Sequence, residues 1–411
     1  MRTKTILIAL LFLHFNSNCQ ESPESNKISI GETIELHSSI LGETREIYIY
    51  QPEGLWDMDE DMTNLPVIFV LDAESQFTHT ATTVDFLSNA TNGNDFIPRS
   101  LVVGIATNNH RIRDLTPTND SNFPGSGGGQ QFLEFITKEL IPYIDNNYDT
   151  SNHRTIIGHS MGGLLCFETL KRHRTFFDNY LIIDPASGFA NNAIIDELID
   201  TLNHSDLSLE NVFLASANNR PMFLSRADLM SDTSRLAKEI DIPNQQFISM
   251  QKKSNWRINL KSKIYENENH YSLPHISTME GLKELFGFYT FPQMTNYYHP
   301  AYQDSTLLVE QIKEHYEQVS EQMGYEVKPM QGYLNSFAFG LNHYGREDLA
   351  VDLLKYNIEL NPKDPIMYNN LGYLYMSNHD NQSAIEIFTE SLQLESDDII
   401  LQTLKQLKRR N

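Results

Sequence analysis

Short apolar runs separated by helical patterns fill the chain from Ile28 to about Phe291. Ile28-Ser-Ile-Gly and Glu46-Ile-Tyr-Ile-Tyr-Gln alternate apolar with polar positions, which predicts half-buried, antiparallel strands at the start of a sheet. Pro66-Val-Ile-Phe-Val-Leu and Leu101-Val-Val-Gly-Ile-Ala are apolar without a break, as parallel strands covered on both faces are. Thr155-Ile-Ile-Gly, Tyr180-Leu-Ile-Ile, Val212-Phe-Leu-Ala and Lys263-Ile-Tyr continue the series. Helical periodicity lies between them, over Gln131–Ile144, Met161–His173 and about Ser225–Ile240. Strands alternating with helices predict an α/β fold, a mostly parallel sheet with helices on both faces.

Beyond about Phe291 the strand patterns stop. Ser305–Met323 reads as an amphipathic helix, and an offset of 34 then relates Ala350 to Ala384, Phe337 to Leu371, Leu354 to Phe388 and Leu360 to Leu394. That period, with small residues at the helix crossings and Pro362 closing the first unit, predicts two tetratricopeptide-like repeats, 331–364 and 365–398, and Leu401–Arg409 reads as a capping helix. Two such repeats fall short of the roughly three that stand alone, so their apolar faces are expected to dock on the preceding half, on a second protomer or on a partner protein.

The N-terminal pattern differs from both parts. Arg2 and Lys4 precede the apolar stretch Ile6–Phe15, and Asn16–Cys19 is a short polar end, which predicts a secretory signal over 1–19. The organisation is then 20–295 for the α/β domain and 296–411 for the helical region, in an exported protein, periplasmic or secreted. A lipid anchor on Cys19 is the weaker alternative, because Asn16 and Asn18 are unlike the small, apolar residues usual before such a cysteine. No later stretch reaches the roughly 20 apolar residues of a membrane-spanning helix.

Charge and cysteine content narrow the chemistry. Against 31 Lys+Arg stand 54 Asp+Glu, and the net charge of −23 disfavours nucleic acid as a partner. Cys19 and Cys166 are the only cysteines, too few for a disulfide framework or a cysteine-rich zinc site. H-E-x-x-H and C-x-x-C are absent, and Gly125-Ser-Gly-Gly-Gly follows no strand and has Gln130 where a dinucleotide loop needs its third glycine. No metal or organic cofactor is expected.

Gly158-His-Ser-Met-Gly-Gly163 is the most informative segment, a strand before it and a helix after. A serine at such a tight turn projects its hydroxyl from the sheet, with glycines where bulkier neighbours would clash. Chance would supply about 0.1 such motifs in a chain of this length. Ser160 is therefore the candidate nucleophile, with the N–H of Met161 at the helix start aimed at an oxyanion. Serine needs a base, and in this architecture the order is serine, acid, histidine. His159 lies inside the turn, and His173 and His204 come too early. His270, in the loop after the last strand, is the candidate base; His275 follows a proline and opens the next helix. The acid is expected after Val212–Ala217, where Asn218 and Asn219 stand instead. Asp232 and Glu268 are the candidates, a Ser–His dyad the third option, and helix capping the alternative role for these carboxylates.

These residues resemble the putative-esterase family of α/β-hydrolases, which includes enterochelin-esterase-like, feruloyl-esterase-like and formylglutathione-hydrolase-like enzymes. The matching segments run from Ser39-Ile-Leu-Gly-Glu-Thr-Arg-Glu to the helix ending near Tyr289 and include Leu71-Asp-Ala-Glu, Arg113-Asp-Leu-Thr-Pro, Glu139-Leu-Ile-Pro, the Ser160 turn and Glu268-Asn-His-Tyr-Ser-Leu-Pro. The resemblance implies that Ser160 and His270 are the catalytic pair and that the Asp72–Ala73 loop gives a second oxyanion N–H. The departure from the family pattern is the amide at Asn218. The expected function is an exported serine esterase acting on a small-molecule, oligosaccharide or siderophore ester. The alternative is a catalytically weak scaffold that binds proteins through its repeats.

Overall fold

The computed structural model describes residues 29–410 apart from 53–62, 90–93, 205–209, 221–225, 293, 300 and 303–306. The expected export signal and Cys19 lie outside the described residues. Eight strands form one sheet: β1 (Glu32–Ser38), β2 (Glu43–Tyr50), β3 (Leu65–Leu71), β4 (Leu101–Ile105), β5 (Thr150–His159), β6 (Asn179–Ile183), β7 (Asn211–Ala217) and β8 (Asn259–Tyr265). Their order across the sheet is β1-β2-β4-β3-β5-β6-β7-β8. β1 and β2 pair antiparallel, β2 pairs antiparallel with β4, and every later pairing is parallel. The fold is that of an α/β-hydrolase followed by an all-helical region.

The unbroken apolar strands are buried on both faces for a simple reason. In β3, Val67, Phe69 and Leu71 join one apolar cluster while Ile68 and Val70 join the other, across the sheet. The first cluster is closed by the helices Gly129–Phe135 and Met161–Arg172 through Phe132, Leu164 and Phe167. The second is closed by Ala73–Leu87 and Leu273–Leu285 through Phe77, Val84 and Leu282.

Three expected elements are placed differently. The first strand is Glu32–Ser38, where Ile34 and Leu36 supply the alternation that packs on the sheet; of the stretch expected from Ile28, residues 29–31 lie before the strand and Ile28 lies outside the described residues. The helix expected over Gln131–Ile144 carries a π-helical turn at Ile136–Leu140, just before Pro142. Proline offers no N–H to the turn behind it, and the wider π turn absorbs the mismatch. The Ser225–Ile240 helix is broken: a 3-10 turn covers Arg226–Ser231, and after a break at 232–234 the chain coils through a π turn (Ala237–Asp241) before Pro243 and on into Ile242–Gln251.

The helical region docks on the second apolar cluster. Helix Leu308–Met323 buries Leu308, Ile312, Tyr316, Val319 and Met323 in the cluster that holds Phe286, Tyr289 and Phe291. Tyr316 Oη donates to Asp95 Oδ2 at 3.1 Å, and His315 Nε2 donates to the Tyr289 carbonyl at 2.9 Å. The helix pairs Gln331–His343 with Glu347–Leu360 and Pro365–Ser377 with Asn381–Leu394 follow. Gly372 shows why a small residue sits at a crossing: a Cβ there would stand 2.5 Å from Phe388 Cε1. The last helix, Asp398–Arg410, covers Phe388 and Ala384 with Ile400, Leu404 and Leu407.

Candidate active site

Ser160 stands between β5 and the helix Met161–Arg172 with φ 59° and ψ −116°, in the left-handed region that a side chain other than glycine seldom enters. The strain is held by the backbone on both sides. The Ser160 N–H donates to the Ile183 carbonyl at 2.9 Å, and the Ser160 carbonyl accepts from Leu164 at 3.0 Å and from Ala186 at 3.0 Å. The glycine two residues earlier is indispensable, since a Cβ on Gly158 would run into the Gly162 carbonyl and stand 2.7 Å from Cys166 Sγ.

His270 follows β8 and is 8% exposed. Its Nε2 lies 3.1 Å from Ser160 Oγ and its Nδ1 lies 2.7 Å from Asp184 Oδ2. A carboxylate only accepts, so the proton sits on Nδ1 and Nε2 is left to accept from the serine hydroxyl. Asp184, fully buried, comes directly after β6 with φ 40°. Its Oδ1 accepts from the Ala217 N–H at 2.9 Å and its Oδ2 from Asn219 Nδ2 at 3.0 Å.

Neither carboxylate singled out from the sequence meets the histidine ring. Asp232 Oδ1 accepts from the Ser234 N–H at 2.8 Å, a capping contact in the break between the two helical turns. Glu268 is two residues before His270, and its carbonyl accepts from the Asn218 N–H at 2.9 Å. The same neighbouring loop meets the base as well: His270 N–H donates to Asn219 Oδ1 at 2.8 Å. The signal for Asp184 is present in Tyr180-Leu-Ile-Ile-Asp-Pro, an aspartate at the end of a wholly buried strand. It is one strand earlier than the position expected for the acid.

Asp72 and Ala73 stand where an oxyanion loop is expected, at the end of β3 and the start of the helix Ala73–Leu87. Asp72 is left-handed, φ 56° and ψ 50°, and its buried carboxylate is clamped. Thr107 Oγ1 donates to Oδ1 at 2.6 Å, and Arg111 donates through Nε to Oδ1 and through Nη2 to Oδ2, each at 2.9 Å. Met161 opens the helix beside Ser160, so both N-terminal turns meet at the serine.

The cleft over Ser160 has a volume of about 570 Å³ and is lined by Gln76, His79, Arg111, His270, Tyr271 and His275, among others. Tyr271 is 88% exposed at its mouth. His159 Nε2 donates to the His270 carbonyl at 2.8 Å, and its ring lies 4.5 Å from that of His270. Burial, then the neighbouring His270, pulls its pKa down to about 4, so His159 is a neutral wall of the site. Arg113 lies away from the cleft, donating to Glu43 Oε2 at 3.2 Å and to Asp114 Oδ1 at 2.7 Å. The paired Glu43, Arg45, Arg113 and Asp114 tie the β2 strand to the segment after β4, and Glu139 accepts from Ser39 and Ile40 N–H groups at 3.0 and 3.2 Å. Those motif residues are structural.

Among the described residues, no group of three or more His, Cys, Asp or Glu side chains is arranged to hold a metal ion, and no helix is long and apolar enough to cross a membrane.

A family model described as "Putative esterase" matches residues 38–273. The ferri-bacillibactin esterase BesA of Bacillus subtilis is 32% identical over 137 residues, covering 29% of this chain and 47% of that protein. The siderophore triacetylfusarinine C esterase of Aspergillus fumigatus is 26% identical over 166 residues, covering 38% and 56% respectively. The chain spans about half the length of the curated relatives it matches. Among solved structures, an IroE-like serine hydrolase from Shewanella oneidensis superposes with a TM-score of 0.62 at 28% identity, covering 80% of this chain and 99% of that one.

Proposed function

The chain belongs to the putative esterase family, and from that membership we propose that it is an exported serine esterase that cleaves carboxylic esters through an acyl-enzyme. The observation that carries the reading is the unbroken line Ser160 Oγ, His270 Nε2, His270 Nδ1, Asp184 Oδ2, at 3.1 and 2.7 Å.

In the first step Ser160 Oγ bonds to the ester carbonyl carbon while its proton passes to His270 Nε2. The carbonyl oxygen takes the negative charge and is held by the N–H of Met161 with one from the Asp72–Ala73 loop. Collapse of this intermediate breaks the bond to the alcohol, which leaves with the proton from Nε2. Water then gives a proton to Nε2 and its oxygen to the acyl carbon. The acid departs, and Oγ recovers the proton. Asp184 holds His270 Nδ1–H and stabilises the imidazolium that forms twice in the cycle.

The substrate we propose is a siderophore-type ester. Support comes from two relatives named for esters of that class and from the open cleft, which can admit a branched, polar ligand beside Arg111 and Tyr271. Export is supported by Arg2, Lys4 and the apolar stretch Ile6–Phe15, with residues 1–19 as the signal, 20–295 as the catalytic domain and 296–411 as the helical region with its two tetratricopeptide-like units. The scaffold alternative rests on the missing acid at Asn218; the Asp184 carboxylate 2.7 Å from His270 Nδ1 favours the enzyme reading.

Burst kinetics with a p-nitrophenyl ester test the chemistry, and hydrolysis of ferric and iron-free siderophore lactones followed by mass spectrometry tests the substrate. A serine-dependent burst and lactone cleavage well above that of simple alkyl esters are expected. Equal rates for the parent and Ser160→Ala would overturn the enzyme reading.

A further inference from the structure

Asn219 occupies the loop after β7, the place expected for an acid, and its whole side chain is bonded within the triad's surroundings. Its Nδ2 carries two hydrogens and donates to two carboxylates, Asp184 Oδ2 at 3.0 Å and Asp241 Oδ1 at 2.9 Å. Its Oδ1 accepts from the backbone N–H of His270 at 2.8 Å. One amide thus touches the orienting carboxylate, the main chain of the base, and a second, almost fully buried carboxylate. The assignment of nitrogen and oxygen is forced, because the carboxylates only accept and the N–H only donates.

We propose that Asn219 is a positioning residue for the Asp184–His270 pair, with Asp241 as its anchor. The inference rests on the catalytic reading of Ser160, His270 and Asp184. Asp184 Oδ2 takes donors from both His270 and Asn219, which with Ala217 N–H on Oδ1 leaves the carboxylate no free rotation. Asp241 holds the other amide hydrogen, so Asn219 cannot swing away from Asp184. The bond to His270 N–H fixes the loop that carries the imidazole, so the same side chain sets both ends of the Nδ1–Oδ2 contact. An aspartate at 219 would bring a third carboxylate between two others and lose both donors. An amide joins the two carboxylates without adding charge.

The charged groups around Asp241 are Asp184, Arg220 and Asp232. Burial foremost, with the two aspartates, raises its pKa to about 6, against the Asn219 bond and Arg220. Oδ1 can accept from Asn219 whether or not the other oxygen carries a proton, so the anchor persists across the neutral range.

The test uses the full chain with p-nitrophenyl butyrate, and the far-downfield proton resonance of His270 Nδ1–H as a second readout. Asn219→Ala should lower kcat by about 10- to 100-fold with little change in KM, and should shift or broaden that resonance. Asp241→Ala, which removes only the anchor, should lower kcat less and move the same resonance in the same direction. It serves as the measurement if Asn219→Ala does not fold. Parental kcat and an unmoved resonance in a folded Asn219→Ala or Asp241→Ala, alongside an inactive Asp184→Asn, would overturn the inference and leave the triad standing. Parental kcat in Asp184→Asn would overturn the triad and the inference with it.

Discussion

Asp184 and His270 are 86 residues apart in sequence and 2.7 Å apart at Oδ2 and Nδ1. They meet because β6 ends two strands from β8 in the sheet, and the loops after both lean back over the Ser160 turn. In the proposed triad the chain order serine, acid, histidine is kept, with the acid leaving from β6 rather than β7.

Replacing Asp184 by Asn therefore separates the candidates for the acid. Asp184→Asn should lose roughly 10³- to 10⁴-fold in kcat, with KM little altered, because the charge is needed as the imidazolium forms. Asp232→Asn and Glu268→Gln should stay close to the parent. Steady-state kinetics on an aryl ester reads all three; a large loss in either of the last two would reassign the acid.

His270→Ala should lower kcat roughly 10⁶-fold, as far as Ser160→Ala does, and the double variant should be no worse than either single one. Residues that act as one unit lose their effect together. Additive losses would mean that Ser160 and His270 do not share a step.

The Asp72 clamp predicts a separable effect on the oxyanion. Arg111→Ala removes two of the three bonds that Thr107 and Arg111 make to the Asp72 carboxylate, and frees a left-handed residue beside the reacting carbonyl. Losing one oxyanion donor costs about 10²- to 10³-fold, so a loosened one should cost less, about tenfold in kcat. A phosphonate that mimics the tetrahedral intermediate should weaken in parallel. Unchanged inhibitor binding with reduced kcat would show that Arg111 acts elsewhere.

Asp241 gives a dependence of stability on pH. Its pKa is raised from 3.8 in the unfolded chain to about 6 in the fold, so between those values the folded state holds a proton that the unfolded one has released. Stability from this group is therefore full at low pH and is lost as pH rises through about 6. Asp241→Asn, which cannot ionise, should raise Tm at pH 7.5 and show a smaller gain at pH 4.5. An equal change at both values would remove titration as the cause.

Tyr316 tests the docking of the helical region. Its ring is buried against Tyr289 and its hydroxyl donates to Asp95. Tyr316→Ala should cost about 3–5 kcal/mol, from the cavity and the lost donor, in urea unfolding. A transition that splits into two would show the helical region detaching first.

Most of the architecture was legible in the sequence because burial on both faces leaves an unmistakable mark: β3 and β6 are apolar at nearly every position. The Ser160 turn and His270 were legible because a strained turn needs its glycine and because chain order leaves few histidines. Asp184 was not, although it ends a buried strand, since an aspartate there reads as readily as a turn residue, and only the pairing of β6 with β5 and β7 brings it to the imidazole. Asn219 stands where an acid is expected, and its three bonds, to residues 35, 22 and 51 positions away, are visible only once those segments have met. The breaks before Pro142 and Pro243 escape a periodicity reading because a π turn shifts the apolar stripe by one position without erasing it.

The shared apolar cluster has a consequence for biogenesis. Phe286, Tyr289 and Phe291 emerge from the ribosome before Ile312, Tyr316 and Phe337, which cover them. The hydrolase half is thus synthesised with one flank of its core uncovered, and that flank stays open to chaperones, or to other nascent chains, until residues 308–341 have followed. That side of the core is complete only when residues 308–341 arrive, and a ribosome that stalls beyond Phe291 would release a chain with an exposed apolar flank, prone to aggregate.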